Sequence, residues 1–214
     1  MSSVAVIDYG MGNLHSIAKA LQHANPSENV EITSDTNRIL AADRVVFPGV
    51  GAIRDCMQAI ENFGFTDVLK QVAANKPLLG ICIGMEALLT ESEENGGTEC
   101  LGIIPGKVVH FADKLTDSQG DILKVPHMGW NQVNQTESHP LWDGIPQDGR
   151  FYFVHSYYAK PDSSQHVAAT SNYPTSFACA VSHENIFATQ FHPEKSQAVG
   201  LKLLENFLAW DGCS

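Results

Sequence analysis

Short apolar runs alternate with helix-patterned segments through the first part of the chain. Leu14, Ile17 and Leu21 recur at helical spacing after Asn13, a residue type that can cap a helix. Similar segments occupy 53–60 and 65–76. Strand and helix alternating in this way predict a parallel sheet with helices on both faces. The predicted buried strands are residues 3–8, 30–33, 44–47 and the apolar run that leads into Gly80.

The second part of the chain changes character. It is dominated by short strand candidates separated by turn residues, and it closes with an amphipathic helix at 196–210. We see no linker and no internal repeat, so we expect one domain over 1–214. The predicted fold is α/β: a three-layer, doubly wound, mostly parallel sheet with added antiparallel strands. The later strand candidates are 106–111, 122–125, 130–134, 150–158, 166–170, 177–183 and 186–192.

The segment PLLGICIGMEALL, residues 77–89, predicts a strand, a tight turn and a helix. Gly80 and Gly84 permit a sharp turn, which would present Cys82 at the end of the sheet. The N-terminus of the following helix would then favour a thiolate, and the amide of Ile83 would point at an oxyanion. The alternative is a buried, inert cysteine beside packing glycines.

A histidine near the end of the chain supplies a candidate base. Pro193 favours an extended backbone at His192, so His192 and Glu194 are expected to share a face. Glu194 could orient the imidazole and leave the other ring nitrogen free, which is the logic of a catalytic triad. No second ligand at metal-site spacing accompanies His192, so no metal and no cofactor are expected.

Two glycine-containing turns follow predicted strands. Gly49 and Gly51 flank Val50, so this peptide could rotate to direct an N–H at an oxyanion, or it could be an ordinary turn. Gly10 and Gly12 suit a tight βα turn better than a nucleotide site, because the G-x-G-x-x-G pattern is incomplete.

Composition narrows the classes of function. Lys and Arg number 13 against 24 Asp and Glu, a formal net charge of −11, which argues against binding to nucleic acid. The N-terminal residues do not resemble a secretory signal, and no apolar run is long enough for a membrane span. Five cysteines without C-x-x-C spacing do not indicate a disulfide framework. We therefore expect a cytoplasmic protein.

The elbow around Cys82 and the His192-Pro-Glu194 segment together resemble the class I glutamine amidotransferase family. Further segments are similar to one branch of that family, the glutaminase subunits of imidazole glycerol phosphate synthase. The resemblance runs along essentially the whole chain. The segments are DYGMGNLHS (8–16), FPGVG (47–51), SEENGG (92–97), PHMGWN (126–131), YFVHSYY (152–158) and QFHPEKS (190–196).

The resemblance implies a mechanism and a set of site residues. Cys82 attacks the side-chain amide of glutamine, and His192, oriented by Glu194, transfers the protons. The oxyanion donors implied are Gly49, Val50 and Ile83. The substrate contacts implied are Gly51, Glu86, Glu94, His155, Ser156 and Tyr157. His155 is a rival base, but its alternating aromatic neighbours favour a structural role.

The resemblance also implies a partner. Ammonia would pass to a cyclase with a (β/α)8 barrel fold, in a heterodimer that makes imidazole glycerol phosphate in histidine biosynthesis. The positions implied to face it are Asn13, His127, Trp130, Tyr152 and Lys195, although the aromatic residues among them also suit a core. Alternatively, the chain serves another synthase, acts as a γ-glutamyl hydrolase, or is a non-enzymatic scaffold.

One position departs from the family pattern. The family usually has glutamine after Gly-Met, and this chain has Glu86. An ionised carboxylate accepts hydrogen bonds but donates none, so a donor to the substrate would be lost.

Overall fold

A computed structural model describes residues 2–112, 115–116 and 119–213. Its main sheet has a parallel part ordered β2-β1-β3-β4-β15, which β14, β12 and β7 continue with antiparallel pairing. The strands are β1 (Ser3–Ile7), β2 (Asn29–Thr33), β3 (Arg44–Gly49), β4 (Leu78–Cys82), β5 (Glu91–Ser92), β6 (Thr98–Glu99), β7 (Gly106–His110), β8 (Leu115–Thr116), β9 (Ile122–Leu123), β10 (His127–Gln135), β11 (Gly149–His155), β12 (Tyr157–Pro161), β13 (Val167–Asn172), β14 (Ser176–His183) and β15 (Ile186–Thr189). The helices are α1 (Leu14–Ala24), α2 (Thr36–Ala41), α3 (Ile53–Asn62), α4 (Phe65–Asn75), α5 (Ile83–Glu86) and α6 (Gln197–Ala209).

The helices form two groups around the parallel strands. Helix α1 packs against α6, whereas α4 packs against both α2 and α3. Right-handed crossovers from β1 through α1 to β2, and from β2 through α2 to β3, place these groups on opposite faces of the sheet. The predicted α/β fold, a parallel sheet with antiparallel additions, is confirmed.

The parallel strands are buried on both faces, as the continuous apolar runs predict. All five residues of β4 are buried, and so are five of the six in β3. Strand β2 differs, because it lies at the edge of the sheet and is only partly buried. The strand predicted at 30–33 is therefore present, but the prediction that it is buried is wrong.

Several element boundaries differ from the sequence-based predictions. The run 150–158 contains two strands that break at Ser156, and the strand predicted over 186–192 ends at Thr189. Helix α5 has only one turn, far shorter than the helix predicted after Cys82. Asn13 precedes α1 as predicted, but its side chain makes no capping hydrogen bond.

Helix α2 was not predicted. Its start is marked by Asp35, whose carboxylate accepts hydrogen bonds from the backbone N–H groups of Asn37 and Arg38. Six residues give too little periodicity to recognise a helix. Within the described part of the chain, no helix has the length and apolar character that a membrane span requires.

Candidate active site

The turn at Cys82 is a tight strand-to-helix junction. Strand β4 ends at Cys82 and α5 begins at Ile83. Cys82 has φ 56° and ψ −113°, a conformation that a side chain rarely adopts and that the surrounding packing must enforce. A Cβ on Gly84 would lie 2.0 Å from the carbonyl oxygen of Phe47, and one on Gly80 would lie 2.8 Å from Cβ of Ala188. Glycine is therefore required on both sides of the cysteine.

The protonation state of Cys82 differs from the expectation. Burial raises the pKa of its thiol well above the ordinary value, the carboxyl of Glu86 raises it further, and the amide of Ile83 lowers it. One helical turn carries too small a dipole to offset this burial. The predicted thiolate is thus wrong for this conformation: Cys82 is a thiol that needs a base.

His192 and Glu194 are hydrogen-bonded to each other beside the cavity that Cys82 lines. Nδ1 of His192 lies 2.9 Å from Oε1 of Glu194, and both side chains are almost completely buried. Because a carboxylate only accepts, Nδ1 is the donor of this pair, and in the neutral imidazole Nε2 is the acceptor. Nε2 has no hydrogen-bond partner among the described residues. This ring nitrogen is therefore available as a base.

The local backbone around this pair is not the one predicted. His192 is extended, with φ −100° and ψ 100°, but Pro193–Lys195 form a 3-10 turn. The two side chains therefore meet across a turn, not along an extended strand. The turn itself is held by the hydroxyl of Ser196, which donates to the carbonyl of His192 at 2.6 Å and accepts from the N–H of Tyr152 at 2.9 Å.

Cys82 and His192 line one cavity of about 410 Å³ at the carboxyl ends of the parallel strands. Glu194 lies behind His192, with no exposed side-chain surface. A larger cavity of about 730 Å³, lined by residues around Trp142 and Trp210, contains none of the predicted site residues. The other predicted residues that line the Cys82 cavity are Val50, Gly51, Ile83, Glu86, Glu94, His155, Ser156, Tyr157 and Lys195.

The glycine-flanked segment after β3 is less free than its composition suggests. Gly49 belongs to β3, opposite Cys82 in the register with β4, and is absent from the cavity wall. A Cβ on Gly49 would come within 2.8 Å of both the Ile83 side chain and the Tyr9 hydroxyl. Gly49 is thus required by close packing, and only Val50 and Gly51 leave the strand. Gly51 has φ +101°, which favours glycine.

His155 has no free nitrogen with which to act as a base. Its Nδ1 donates to the carbonyl of Tyr157 at 2.6 Å, so its Nε2 must accept from Nδ1 of His127 at 2.9 Å. Burial lowers the pKa of His155 to about 3 and that of His127 to about 4, so both rings are neutral. The pair anchors the bend between β11 and β12, in agreement with a structural role.

The placement of His127 does not match the role implied for it at a partner surface. Only 3% of the residue is exposed, and Nδ2 of Asn131 lies 3.2 Å from its second ring nitrogen. Its ring stacks on Tyr173, with 4.1 Å between centroids. His127 is therefore an internal residue that packs and hydrogen-bonds within the chain, not a residue of an exposed partner surface.

Comparison with known proteins identifies the family. Residues 5–210 match the family described as glutamine amidotransferase class-I. The chain belongs to the class I glutamine amidotransferase family. Imidazole glycerol phosphate synthase subunit HisH of Methylococcus capsulatus is 64% identical over 99% of this chain and 98% of its own. The HisH subunit of Nitrosococcus oceani is 58% identical over the full length of both chains. The protein is thus an enzyme that groups with the HisH subunits.

Solved structures agree on the fold of this amidotransferase. A structure described as glutamine amidotransferase superposes with a TM-score of 0.72 at 15% identity, over 97% of this chain and 99% of its own. A putative GMP synthase subunit from Thermoplasma acidophilum gives a TM-score of 0.69 at 20% identity, over 98% and 93% of the two chains. At such identities the likeness concerns the architecture.

The remaining residues implied to face a partner lie toward the carboxyl ends of the parallel strands, on the same side of the sheet as the cavity. Trp130 and Tyr152 face each other across β10 and β11, with ring centroids 6.1 Å apart. Nζ of Lys195 lies 5.9 Å from the centroid of the Tyr152 ring, and Trp130 is 37% exposed. Asn13 is partly exposed before α1, after the carboxyl end of β1.

Two amidotransferase side chains near the site were given no role from sequence. Ser196 is completely buried and ties β11 to the His192 turn. Gln190 is also completely buried, and its Nε2 donates to Oε1 of Glu86 at 2.8 Å. The contacts of Ser196 with Tyr152 and of Gln190 with Glu86 leave no local sequence signal, because the partners lie 44 and 104 residues apart along the chain.

Proposed function

We propose that this enzyme hydrolyses glutamine to glutamate and ammonia through Cys82, His192 and Glu194. The observation that carries the proposal is the pairing of His192 Nδ1 with Glu194 at 2.9 Å, which leaves Nε2 unpartnered beside the cavity that Cys82 lines. A thiol with a raised pKa requires such a base. The similarity to HisH subunits supports the choice of glutamine.

The proposed reaction has two stages. His192 Nε2 takes the thiol proton as the sulfur of Cys82 attacks the side-chain carbonyl of glutamine. The amide of Ile83 stabilises the oxyanion, with a donor from Val50 on the adjacent segment. Gly49, the other predicted donor, is not given this role, because it lies in β3 and is absent from the cavity wall. His192 then protonates the leaving ammonia and activates water, which hydrolyses the thioester to glutamate and restores the thiol.

The cavity wall offers groups suited to the ends of glutamine. The Glu94 carboxylate accepts from the N–H of Ile53 at 2.8 Å, so it is held in place to receive the substrate's ammonium group. The backbone of His155, Ser156 and Tyr157, with Gly51 across the cavity, is proposed to hold the carboxylate end. Glu86 lines the same cavity and is proposed to contact the substrate as well.

We further propose that ammonia passes to the cyclase subunit of imidazole glycerol phosphate synthase, which has a (β/α)8 barrel fold, in a heterodimer that serves histidine biosynthesis. Exposed apolar side chains near the cavity support a docking surface at this edge. Trp130 is 37% exposed, Val50 37% and Met128 63%. Asn13, Tyr152 and Lys195 are proposed to contribute polar and aromatic contacts at its margin.

The triad is tested by glutaminase assays of the complex with the cyclase. Cys82→Ser and His192→Ala are expected to reduce kcat by at least about a thousandfold, because they remove the nucleophile and the base. Glu194→Gln keeps the shape but cannot orient the imidazole in the same way, so it should lose less. Full activity in Cys82→Ser would eliminate the proposed chemistry.

The partner is tested separately by co-purification with the cyclase and by assays with its nucleotide ligand. Stimulated glutaminase activity and glutamine-dependent formation of imidazole glycerol phosphate are the expected results. Glutaminase activity that is indifferent to the cyclase would instead support a different synthase. Hydrolysis of γ-glutamyl peptides without any partner would support a γ-glutamyl hydrolase.

A further inference from the structure

Glu86 is a buried carboxyl group in the wall of the proposed glutamine site. It ends α5, one turn after Cys82, and is only 2% exposed. Its Oε1 accepts from Nε2 of Gln190 at 2.8 Å. Its Oε2 accepts no hydrogen bond from the described residues. Because Glu86 lines the cavity, Oε2 is the side-chain oxygen left to contact a ligand there.

No cation compensates this carboxyl group in the described part of the chain. No Lys, Arg or His nitrogen there lies within 4.0 Å of it, although Lys195 lines the same cavity. Glu94 adds a second negative charge nearby. The titratable groups on the surrounding elements are Cys56 of α3, Cys82 of β4, Cys100 after β6, Glu94 of the 3-10 turn Glu94–Gly96, Tyr157 of β12, and His155, His192 and Lys195 along the cavity.

A buried carboxyl group without a cation takes up a proton, because the charged form is poorly solvated. Burial, with a smaller contribution from the charge of Glu94, raises the pKa of Glu86 to about 8 against the opposing effect of the Gln190 hydrogen bond. Near neutral pH the side chain is therefore a carboxylic acid with one O–H donor. This corrects the expectation that glutamate at this position removes the donor.

We propose that Glu86 is a proton-controlled substrate donor: its neutral form donates an O–H hydrogen bond to an oxygen of glutamine, and ionisation withdraws it. The inference deepens the proposed function and rests on glutamine as the substrate. A glutamine side chain would keep its N–H donor at every pH, whereas Glu86 supplies its donor only while protonated. Ionisation also adds a negative charge beside a substrate that carries a carboxylate. Affinity for glutamine should therefore fall as pH rises through the titration of Glu86.

The test measures glutamine binding in the complex with the cyclase, on a Cys82→Ala background that removes both hydrolysis and thiol titration. Calorimetry at about pH 6 and about pH 9 brackets the titration of Glu86. With Glu86 intact, the dissociation constant should rise on the order of tenfold. Glu86→Gln keeps an acceptor for Gln190. In this variant the dissociation constants at the two pH values should have a ratio close to one. Titration of glutamine's own amino group affects both proteins equally.

A second measurement does not depend on the substrate. Carbon NMR of the labelled glutamate carboxyls, assigned by the signal lost in Glu86→Gln, should show this group titrating near 8 instead of 4.5. Titration near 4.5 would overturn the role of Glu86. So would a ratio of dissociation constants between the two pH values that is the same with Glu86 intact and with Glu86→Gln. Titration near 8 without glutamine binding at either pH would instead refute the substrate, and with it the donor role.

Discussion

Burial determines the chemistry of the cysteines in this chain, residue by residue. Cys56, Cys82, Cys100 and Cys179 are buried, and burial raises the pKa of each thiol, to about 12 for Cys56 and Cys100. Cys213 alone among the five is exposed. Reactivity of the resting protein is therefore not a guide to the nucleophile.

Limited alkylation with iodoacetamide should accordingly modify Cys213 first in the isolated chain. Cys82 should react slowly, because its thiol is both enclosed and protonated. Peptide mass spectrometry over a time course measures the two rates, and Cys213→Ser is the control that removes the fast phase. A Cys82 rate equal to or above that of Cys213 would contradict the burial argument.

Glu86 links stability to pH with a definite sign. Below 4.5 the carboxyl is protonated in both folded and unfolded chains. Between 4.5 and about 8 only the folded chain keeps the proton, so the free energy of unfolding falls as pH rises. Above about 8 both forms are ionised, and the loss is complete. Because a pKa difference of one corresponds to about 1.4 kcal/mol, the total loss is on the order of a few kcal/mol.

Glu86→Gln should therefore stabilise the protein, and the gain should grow from about pH 5 to about pH 8.5. Urea unfolding of both proteins at the two pH values measures it. Glu61→Gln, at an exposed position of α3, is the matched control and should show no such trend. A pH-independent difference for Glu86→Gln would rule out a buried acid.

At the scale of elements, the proposed triad depends on how α6 meets the turn that precedes it. A Cβ on Gly200 would lie 2.0 Å from the carbonyl oxygen of Pro193 and 2.8 Å from Cβ of Ser196. The helix thus presses directly on the segment that carries Glu194. Strain introduced here would move the orienting carboxylate without touching the cavity wall.

Gly200→Ala should lower stability by about 1–3 kcal/mol through overpacking, and it should lower kcat more than it raises KM. Denaturant unfolding and steady-state glutaminase assays with the cyclase measure the two effects. Glu205→Ala, at an exposed position of the same helix, should leave both nearly unchanged. If Gly200→Ala were destabilised but kept the wild-type kcat, the contact between α6 and the turn would not influence catalysis, and the prediction would be wrong.

At the scale of the whole molecule, one edge of the sheet combines the cavity with exposed apolar side chains. Trp130 lies on β10 and packs against Tyr152, which in turn lies beneath Lys195. The carbonyl of Tyr152 also accepts from the N–H of His192 at 2.9 Å. A partner docked on this edge would thus press on the strand that supports the proposed base.

Trp130→Ala should weaken binding of the cyclase by at least about tenfold while leaving the free chain nearly as stable, because the side chain is partly exposed. Titration calorimetry and thermal unfolding test both parts. Phe63→Ala is the matched control: Phe63 is 46% exposed but follows α3, toward the amino ends of the strands. Unchanged affinity for Trp130→Ala would place the partner elsewhere.

Local pattern determined much of this protein from sequence alone. Period and turn chemistry predicted the parallel strands β1 to β4, the helices α1, α3, α4 and α6, and the elbow around Cys82, because backbone sterics and apolar patterning act over a few residues. The strand at 186–192 was expected among the antiparallel additions, but β15 pairs parallel with β4. The pairing of His192 with Glu194 was also predicted, although the backbone that joins them is a turn instead of a strand.

Only the tertiary structure decided which groups are desolvated and what they meet. The thiol of Cys82, the protonated carboxyl of Glu86 and the internal pairing of His127 all follow from burial by segments distant along the chain. A charge's free energy depends on the dielectric and the partners around it, and these are set when the sheet and its helices assemble. Residue type and spacing carry the candidates for chemistry, whereas assembly sets their protonation.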